Sequence, residues 1–383
     1  MSERELDRIR RRFSNAYRAR DYAESARLAA EGLALAEARG DLATQTRMRV
    51  WLGESHWQRK ESAEAIAALR PAAAAQPPAD PTDVFSAIST LLNIALIEQP
   101  LAEIRALLAQ GDAQLEASGR QHARHMLDLS RGELAARRGD WPAARAHFQD
   151  AYAHQRGDDE GPRFTLGSYL IKLAEASFML GDRESLLDWS KALNEIPKEV
   201  EGDRLRAEQA RLLCYRAGIA VPPGARGGAA ATARRLLCWL EEIEGHRADY
   251  ARDALHALLL QGDWLSVETW LDYPGIGDVP LMRGDLHLAR ARKELGLPMR
   301  DLDWPGSPPA ADLAAHHPAR PAKAPDDLAA ARTQYEQQRD WARQEDARLE
   351  TDHHQRRLDA RLQQVETASG GSHQAASAER VEP

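Results

Sequence analysis

This chain has little of what would hold together a cross-linked or membrane-embedded protein. Only 2 of its 383 residues are cysteine, and aromatic residues make up 6%. A disulfide-held scaffold needs several cysteine pairs, so that class is excluded. Cys214 and Cys238 each sit in an apolar run, Leu212-Leu213-Cys214 and Leu236-Leu237-Cys238. They read as small buried side chains rather than redox or metal groups. No apolar run reaches the length of a bilayer span, and Met1-Ser2-Glu3-Arg4-Glu5 lacks the apolar stretch of a secretory signal. The expectation is a cytoplasmic, reduced protein with no membrane span. Positive charge is not in excess either: the net charge is −8, which argues against general nucleic-acid binding.

Catalytic signatures are missing as well. The chain has no phosphate-binding glycine loop with its lysine, no Gly-x-Ser-x-Gly elbow and no His-Glu-x-x-His helix. His122, His125 and Asp128 alone have ligand-like spacing, at intervals of three on one helix face. Three ligands on a single straight helix seldom converge on one ion, so these read as surface residues. His316-His317 and His353-His354 fall in stretches expected to be solvent-exposed. The expectation is a protein that is not an enzyme, with no metal and no cofactor.

What the chain has is helix-forming residues in a repeating order. Hydrophobic residues make 43% and charged residues 29%, dominated by Ala, Leu, Arg and Glu, all strong helix formers. The phrase Gly139-Asp140-Trp141 with Ala144, Phe148 and Ala151 recurs as Gly181-Asp182 before Leu186 and Trp189, and as Gly262-Asp263-Trp264 before Val267 and Leu271. A looser copy is Arg20-Asp21-Tyr22 before Ser25 and Leu28. Glycine takes the left-handed conformation that ends one helix, and the aspartate caps the next by accepting from its orphan amides. Ala144, Phe148 and Ala151 share one face, which is core. Such a period means stacked helix pairs, each contacting its neighbours.

These residues resemble the tetratricopeptide repeat. Leu52-Gly53, His56, Ala65-Ile66, Leu69, Ala72 and Pro77 follow that family's order of large, small and aromatic positions, and Gly132, Gly139-Asp140, Ala144, Phe148 and Ala151 do so again. Equivalent positions (Tyr17, His56, Ala135, Ser177, Leu258) step by about 39 residues or multiples near it, against the family's usual 34. The chain is thus similar to the long-repeat variety found in bacterial sensor and regulator proteins. The resemblance implies an all-α, right-handed superhelical solenoid of about seven antiparallel helix pairs over residues 1–296.

Beyond residue 296 the character changes. Residues 297–325 carry Pro298, Pro305, Pro308, Pro309, Pro318, Pro321 and Pro325 and read as a semi-extended linker. Residues 326–367 contain no Gly or Pro and read as one long polar helix capped by Asp326. Arg332 with Glu336, Arg348 with Asp352, and Asp352 with Arg356 are spaced to pair along it. Leu328, Tyr335, Ala342 and Leu349 recur at sevens, followed by Leu358, Leu362 and Val365, a weak coiled-coil seam with polar residues at most alternate positions. Residues 368–383 read as a disordered tail.

In the family resembled, the first helices of successive repeats line a groove that takes a segment of a partner. Carried over residue by residue, that groove comprises Arg8, Arg11, Asn15 and Arg18, then Arg47, Val50, Glu54 and Trp57. Leu129, Glu133 and Ala136 follow, then Ile171, Glu175 and Phe178, then Arg252, His256 and Leu259. It is basic at its N-terminal end and mixed further on. The resemblance therefore implies a scaffold or adaptor for a protein or peptide. Two alternatives are a ligand-gated sensor that changes pitch, and, least favoured, a metal-dependent enzyme on the His122 face. Residues 326–367 are a candidate for self-association or for autoinhibition, with the acidic stretch Glu345 to Asp352 meeting the arginines of the first helix.

Overall fold

The structure, a computed structural model, describes residues 3–119, 124–156, 166–196, 201–219, 228–242, 247–273, 281–295, 297, 301, 303, 305 and 324–378. Among these residues all regular structure is helical. The chain divides into two compact units, Met1–Leu134 with Ala153–Gly161, and Ala135–Tyr152 with Pro162–Pro383.

The first unit contains α1 (Glu3–Arg18), α2 (Tyr22–Arg39), α3 (Leu42–Gln58), α4 (Ser62–Ala73), α5 (Pro81–Glu98) and α6 (Leu101–Ser118), with parts of α7 (Arg124–Arg137) and α8 (Trp141–Arg156). Each helix from α1 to α6 packs on the next, and α3 also packs directly on α5. The second unit contains the rest of α7 and α8, then α9 (Leu166–Met179), α10 (Arg183–Glu195), α11 (Glu201–Arg216), α12 (Ala229–Glu242), α13 (Arg247–Gln261), α14 (Trp264–Leu271), α15 (Met282–Glu294), α16 (Ala324–Gln337), α17 (Arg339–Leu349) and α18 (His353–Ala378). Here α9, α11, α13 and α15 pack side by side in series, while α10, α12 and α14 each bridge the odd-numbered helices on either side. Consecutive pairing plus a row of odd-numbered helices is the arrangement a helix-pair repeat produces.

The hairpin turns follow the residue logic of the repeat. Gly139, Gly181 and Gly262 have φ of 77°, 72° and 73°, and the next residue caps the following helix: Asp140 accepts from the Ala143 amide, Asp182 from Ser185 and Asp263 from Ser266. The same turn occurs at Gly40-Asp41, with Asp41 accepting from Thr44. Arg20 takes φ 59° in the glycine position before the Asp21 cap. Each such cap contributes about 1 kcal/mol. Ala144, Phe148 and Ala151 are fully buried, as the shared face requires.

Three expectations change. Cys214 is buried, but Cys238 is exposed: the apolar run Leu236-Leu237-Cys238 is longer than the core stripe of α12, and the third position turns outward. The segment 326–367 is not one helix. It is divided at Gln338 and at 350–352, where Glu350 takes φ 50° and Asp346 accepts from the amides of His354 and Gln355 to cap α18. The heptad residues Leu328, Tyr335, Ala342 and Leu349, with Leu358 and Val365, are buried. Most of that seam joins Leu281, Leu288 and Ala291 in a core within the second unit. The backbone of α18 remains helical to Ala378, past the start expected for the tail; residues 379–383 lie outside the described residues.

Close approach of α15 and α16 depends on Gly284, where an added Cβ would fall 2.2 Å from the Tyr335 ring. Most of the proline-rich stretch lies outside the described residues. Within it, Asp301 is buried and Asp303 partly buried, which is unusual for carboxylates in a stretch expected to be linker.

Candidate functional site

The odd-numbered helices of the second unit converge on a buried charged cluster. Arg216 comes from the end of α11, Arg252, Asp253 and His256 from α13, Asp285 from α15, and Arg357 and Arg361 from α18. Asp301 and Asp303 enter from the stretch between α15 and α16, where the Asp301 carboxylate accepts from the Asp303 amide at 2.9 Å. That turn directs both carboxylates into the cluster.

Arg216 is 1% exposed and is held on every side. Its Nε donates to Asp301 Oδ2 at 2.6 Å and Nη2 to Asp301 Oδ1 at 3.0 Å, the two-pronged contact that suits a planar guanidinium. Nη1 donates to Asp253, and Nη2 also approaches Asp303 at 3.4 Å. The guanidinium lies over the Phe178 ring at 4.6 Å. Asp253 also accepts from Gln209, which donates in turn to Glu175. On the other side Arg361 donates to both oxygens of Asp285, at 2.8 and 3.2 Å, and to Asp303 at 2.9 Å. Arg357 donates to Asp303 at 2.8 Å, and the Tyr335 hydroxyl to Asp285 at 2.7 Å.

Burial by itself would push the Asp301 and Asp303 carboxyls up, but the guanidiniums outweigh it. Arg357 and Arg361 hold Asp303 well below the usual carboxylate range, and Arg216 lowers Asp301. His256 is pushed down by burial and then by Arg216, so it is a neutral imidazole whose Nε2 lies 3.5 Å from Asp303 and 3.8 Å from Asp285. Burial and the neighbouring Asp285 keep the Tyr335 hydroxyl protonated.

Ligating atoms of His256, Asp301 and Asp303 lie within 4.8 Å of one another, a donor set that suits a divalent cation in isolation. In place, however, the carboxylates of Asp253, Asp285, Asp301 and Asp303 already face the guanidiniums of Arg216, Arg252, Arg357 and Arg361. A dication would have to displace arginine donors or leave surplus positive charge in a buried site, and both are costly. The arrangement is an ion-pair network that holds Asp301, Asp303 and α18 against α11, α13 and α15.

The expected groove residues are distributed unevenly. Arg8, Arg11, Asn15 and Arg18 lie together on the exposed face of α1. Arg47 pairs with Asp83 at 3.1 Å and Asp80 at 3.6 Å. Glu54 is partly buried, and burial, then the nearby Asp83 charge, pushes its carboxyl up to about 7. Trp57 and Glu133 are partly exposed. Ile171 and Phe178 do not offer a binding surface: both are core residues packed with Leu170, Leu186 and Leu213. Phe178 also lies under the Arg216 guanidinium. Glu175 accepts from Lys172 and Gln209 and so belongs to the rim of the buried network. Arg252 and His256 belong to the network itself.

Of the ligand-like cluster, His122 lies outside the described residues. His125 and Asp128 are buried rather than on the surface, and the Asp128 carboxylate is engaged by Arg131 at 3.0 Å and His154 at 3.0 Å.

Asp301, Asp303, Arg216, Asp285, Arg357 and Arg361 were not anticipated. One signal was available: Arg216 ends the apolar run Leu212 to Tyr215, and Arg357 and Arg361 are one helical turn apart beside Leu358. A long cation on an apolar face requires an anion partner. Nothing in the sequence says where that anion comes from. Comparison with family models, with curated proteins and with solved structures finds no match to this chain. Among the described residues, no helix is long and apolar enough to cross a membrane.

Proposed function

We propose that this chain is a non-catalytic scaffold of the tetratricopeptide type, which binds a segment of a partner protein on the face formed by the first helices of its repeats. The observation that carries this reading lies inside the second unit. There, first-helix residues Arg216, His256 and Asp285 hold later parts of the chain's own sequence, with Arg216 and His256 facing Asp301 and Asp303 and Asp285 pairing with Arg361 of α18. Odd-numbered helices placed side by side therefore supply both the geometry and the chemistry for holding a peptide. In the first unit the matching positions Arg8, Arg11, Asn15 and Arg18 remain exposed.

Self-association or release of an inhibitory segment through 326–367 has less support. The apolar seam that a second chain would use is packed against α15, so exchanging it means opening a core. The acidic stretch is also engaged locally: Glu345 pairs with Arg348, Asp346 caps α18, and Asp352 pairs with Arg356.

The test is affinity capture from native lysate with the full chain and with a full-length Arg11→Glu, Trp57→Ala variant of unchanged thermal stability. A partner held by the first and lost by the second supports the reading. Retention of every partner by the variant removes the first unit's helix face as the site.

A further inference from the structure

One face of α1 in the first unit carries several exposed arginines. Leu6, Ile9 and Phe13 are buried, so the positions three and four residues removed from one another at Arg8, Arg11, Asn15 and Arg18 share the opposite, exposed side of α1. Among the described residues, Arg8, Arg11 and Arg18 have no carboxylate partner. Arg10 reaches from α1 to α3, where its guanidinium makes only long contacts, 3.4 Å to Asp7 and 3.5 Å to Thr44. Its Nε is buried with no acceptor at all. A buried guanidinium nitrogen without an acceptor is costly, although the Arg10 charge already faces Asp7 and acts on the nearby Asp41 and Asp83. Along α1 and its seam with α3, this chain presents several donors that would suit anions.

We infer that this face docks an acidic segment of a partner protein, one carrying two or more Asp or Glu side chains within a few residues. The inference rests on the scaffold reading and specifies the partner for it. Charge complementarity supports a carboxylate ligand, and the chain itself shows the recognition chemistry: Arg216 takes Asp301 with both prongs of its guanidinium while Asp303, two residues on, is held by Arg357 and Arg361. A polyanion such as nucleic acid is disfavoured. Exposed Asp7 lies on α1 among the arginines, and the chain is −8 overall, so a continuous phosphate backbone would meet repulsion along the stripe. Discrete carboxylates on a peptide avoid it.

Fluorescence anisotropy with the full chain tests this. The probes are a labelled twelve-residue peptide rich in Asp and Glu, its Asn/Gln counterpart, a basic and an apolar peptide, and a DNA oligonucleotide of equal length. The acidic peptide is expected to bind, more weakly as salt rises. Its affinity is expected to fall at least tenfold in Arg11→Glu with Arg18→Glu, to fall in Arg10→Gln, and to stay unchanged in Lys191→Glu, a charge swap on exposed α10. Circular dichroism confirms that each variant is folded. Equal or tighter binding of DNA, acidic-peptide binding that ignores the α1 substitutions, or no acidic-peptide binding at millimolar concentration each overturns the inference. If the apolar or basic peptide binds instead and is lost in Trp57→Ala, the acidic partner is wrong while the scaffold reading stands. If no peptide binds and the lysate capture is also insensitive to this face, both fail.

Discussion

The two units place comparable helices in rows but differ in what they do with the charge they carry. In the second, arginines and aspartates from α11, α13 and α15 meet Asp301, Asp303 and α18 of the same chain, and the charges cancel in the interior. In the first, Arg8, Arg11 and Arg18 of α1 are exposed, while Arg12 pairs with Glu24 and Arg10 with Asp7. One helix-pair geometry thus yields a closed framework where the chain supplies carboxylates for its arginines, and an exposed arginine face where it does not. The contrast extends to pH, because burial acts on paired aspartates in one unit and on a lone Glu54 in the other.

The closed state of the second unit breaks most severely at Arg216. Arg216→Leu strands the buried Asp253 and Asp301 without their shared cation, and is expected to cost about 3–5 kcal/mol, read as a lower urea midpoint. A loss below about 1 kcal/mol would mean that the network is not what fixes Asp301 and α18. A smaller effect is expected from Gly284→Ala, which drives a methyl into the Tyr335 ring between α15 and α16: about 1–3 kcal/mol by the same measurement, with the Tyr335 to Asp285 hydrogen bond lengthened.

Acid separates the units. Asp301 and Asp303 titrate lower when folded than unfolded, so the stability they contribute is present above the unfolded carboxylate range and is lost as pH falls through their folded values. His256, also lowered on folding, adds to this loss once pH drops below its ordinary 6.5. Glu54 runs the other way. Its folded value of about 7 lies above the ordinary 4.5, so the folded first unit holds the extra proton, and stability declines as pH rises from 4.5 to 7. Glu54→Gln is expected to remove that decline and to raise the midpoint of the first unit at pH 8 by about 1 kcal/mol, or roughly 2–4 °C. An unchanged pH profile between 5 and 8 would show that Glu54 is solvated and would weaken the contrast.

How much of this was legible depended on whether the determinant was local. Gly139-Asp140, Gly181-Asp182 and Gly262-Asp263 specify their turns through φ and a cap within four residues, and the structure has those turns. Phe148 and Ala151 specify a core face through spacing alone. The docking of 324–378 was not legible, because Leu328, Tyr335 and Val365 announce an apolar seam without saying whether α15 or another molecule covers it. The cluster was hidden for a related reason: Arg216 and Asp301 are 85 residues apart, and a two-aspartate turn in a proline-rich stretch resembles linker until its partners are located.

The smallest expected effect is the most discriminating. Arg11→Glu reverses a charge on the exposed face of α1 where no described carboxylate pairs with it, so the change in stability should stay within about 0.5 kcal/mol. Arg361→Glu makes the same exchange in the second unit but places a third carboxylate beside Asp285 and Asp303 in the interior, and should prevent α18 from docking. Measured side by side by urea denaturation, the pair asks whether an arginine on α1 is structural or available. A cost above about 1 kcal/mol for Arg11→Glu would make α1 a fixed end-cap of the first unit, held by interactions that its exposure does not reveal. A neutral result with a lost partner leaves recognition as the reason those arginines remain in solvent.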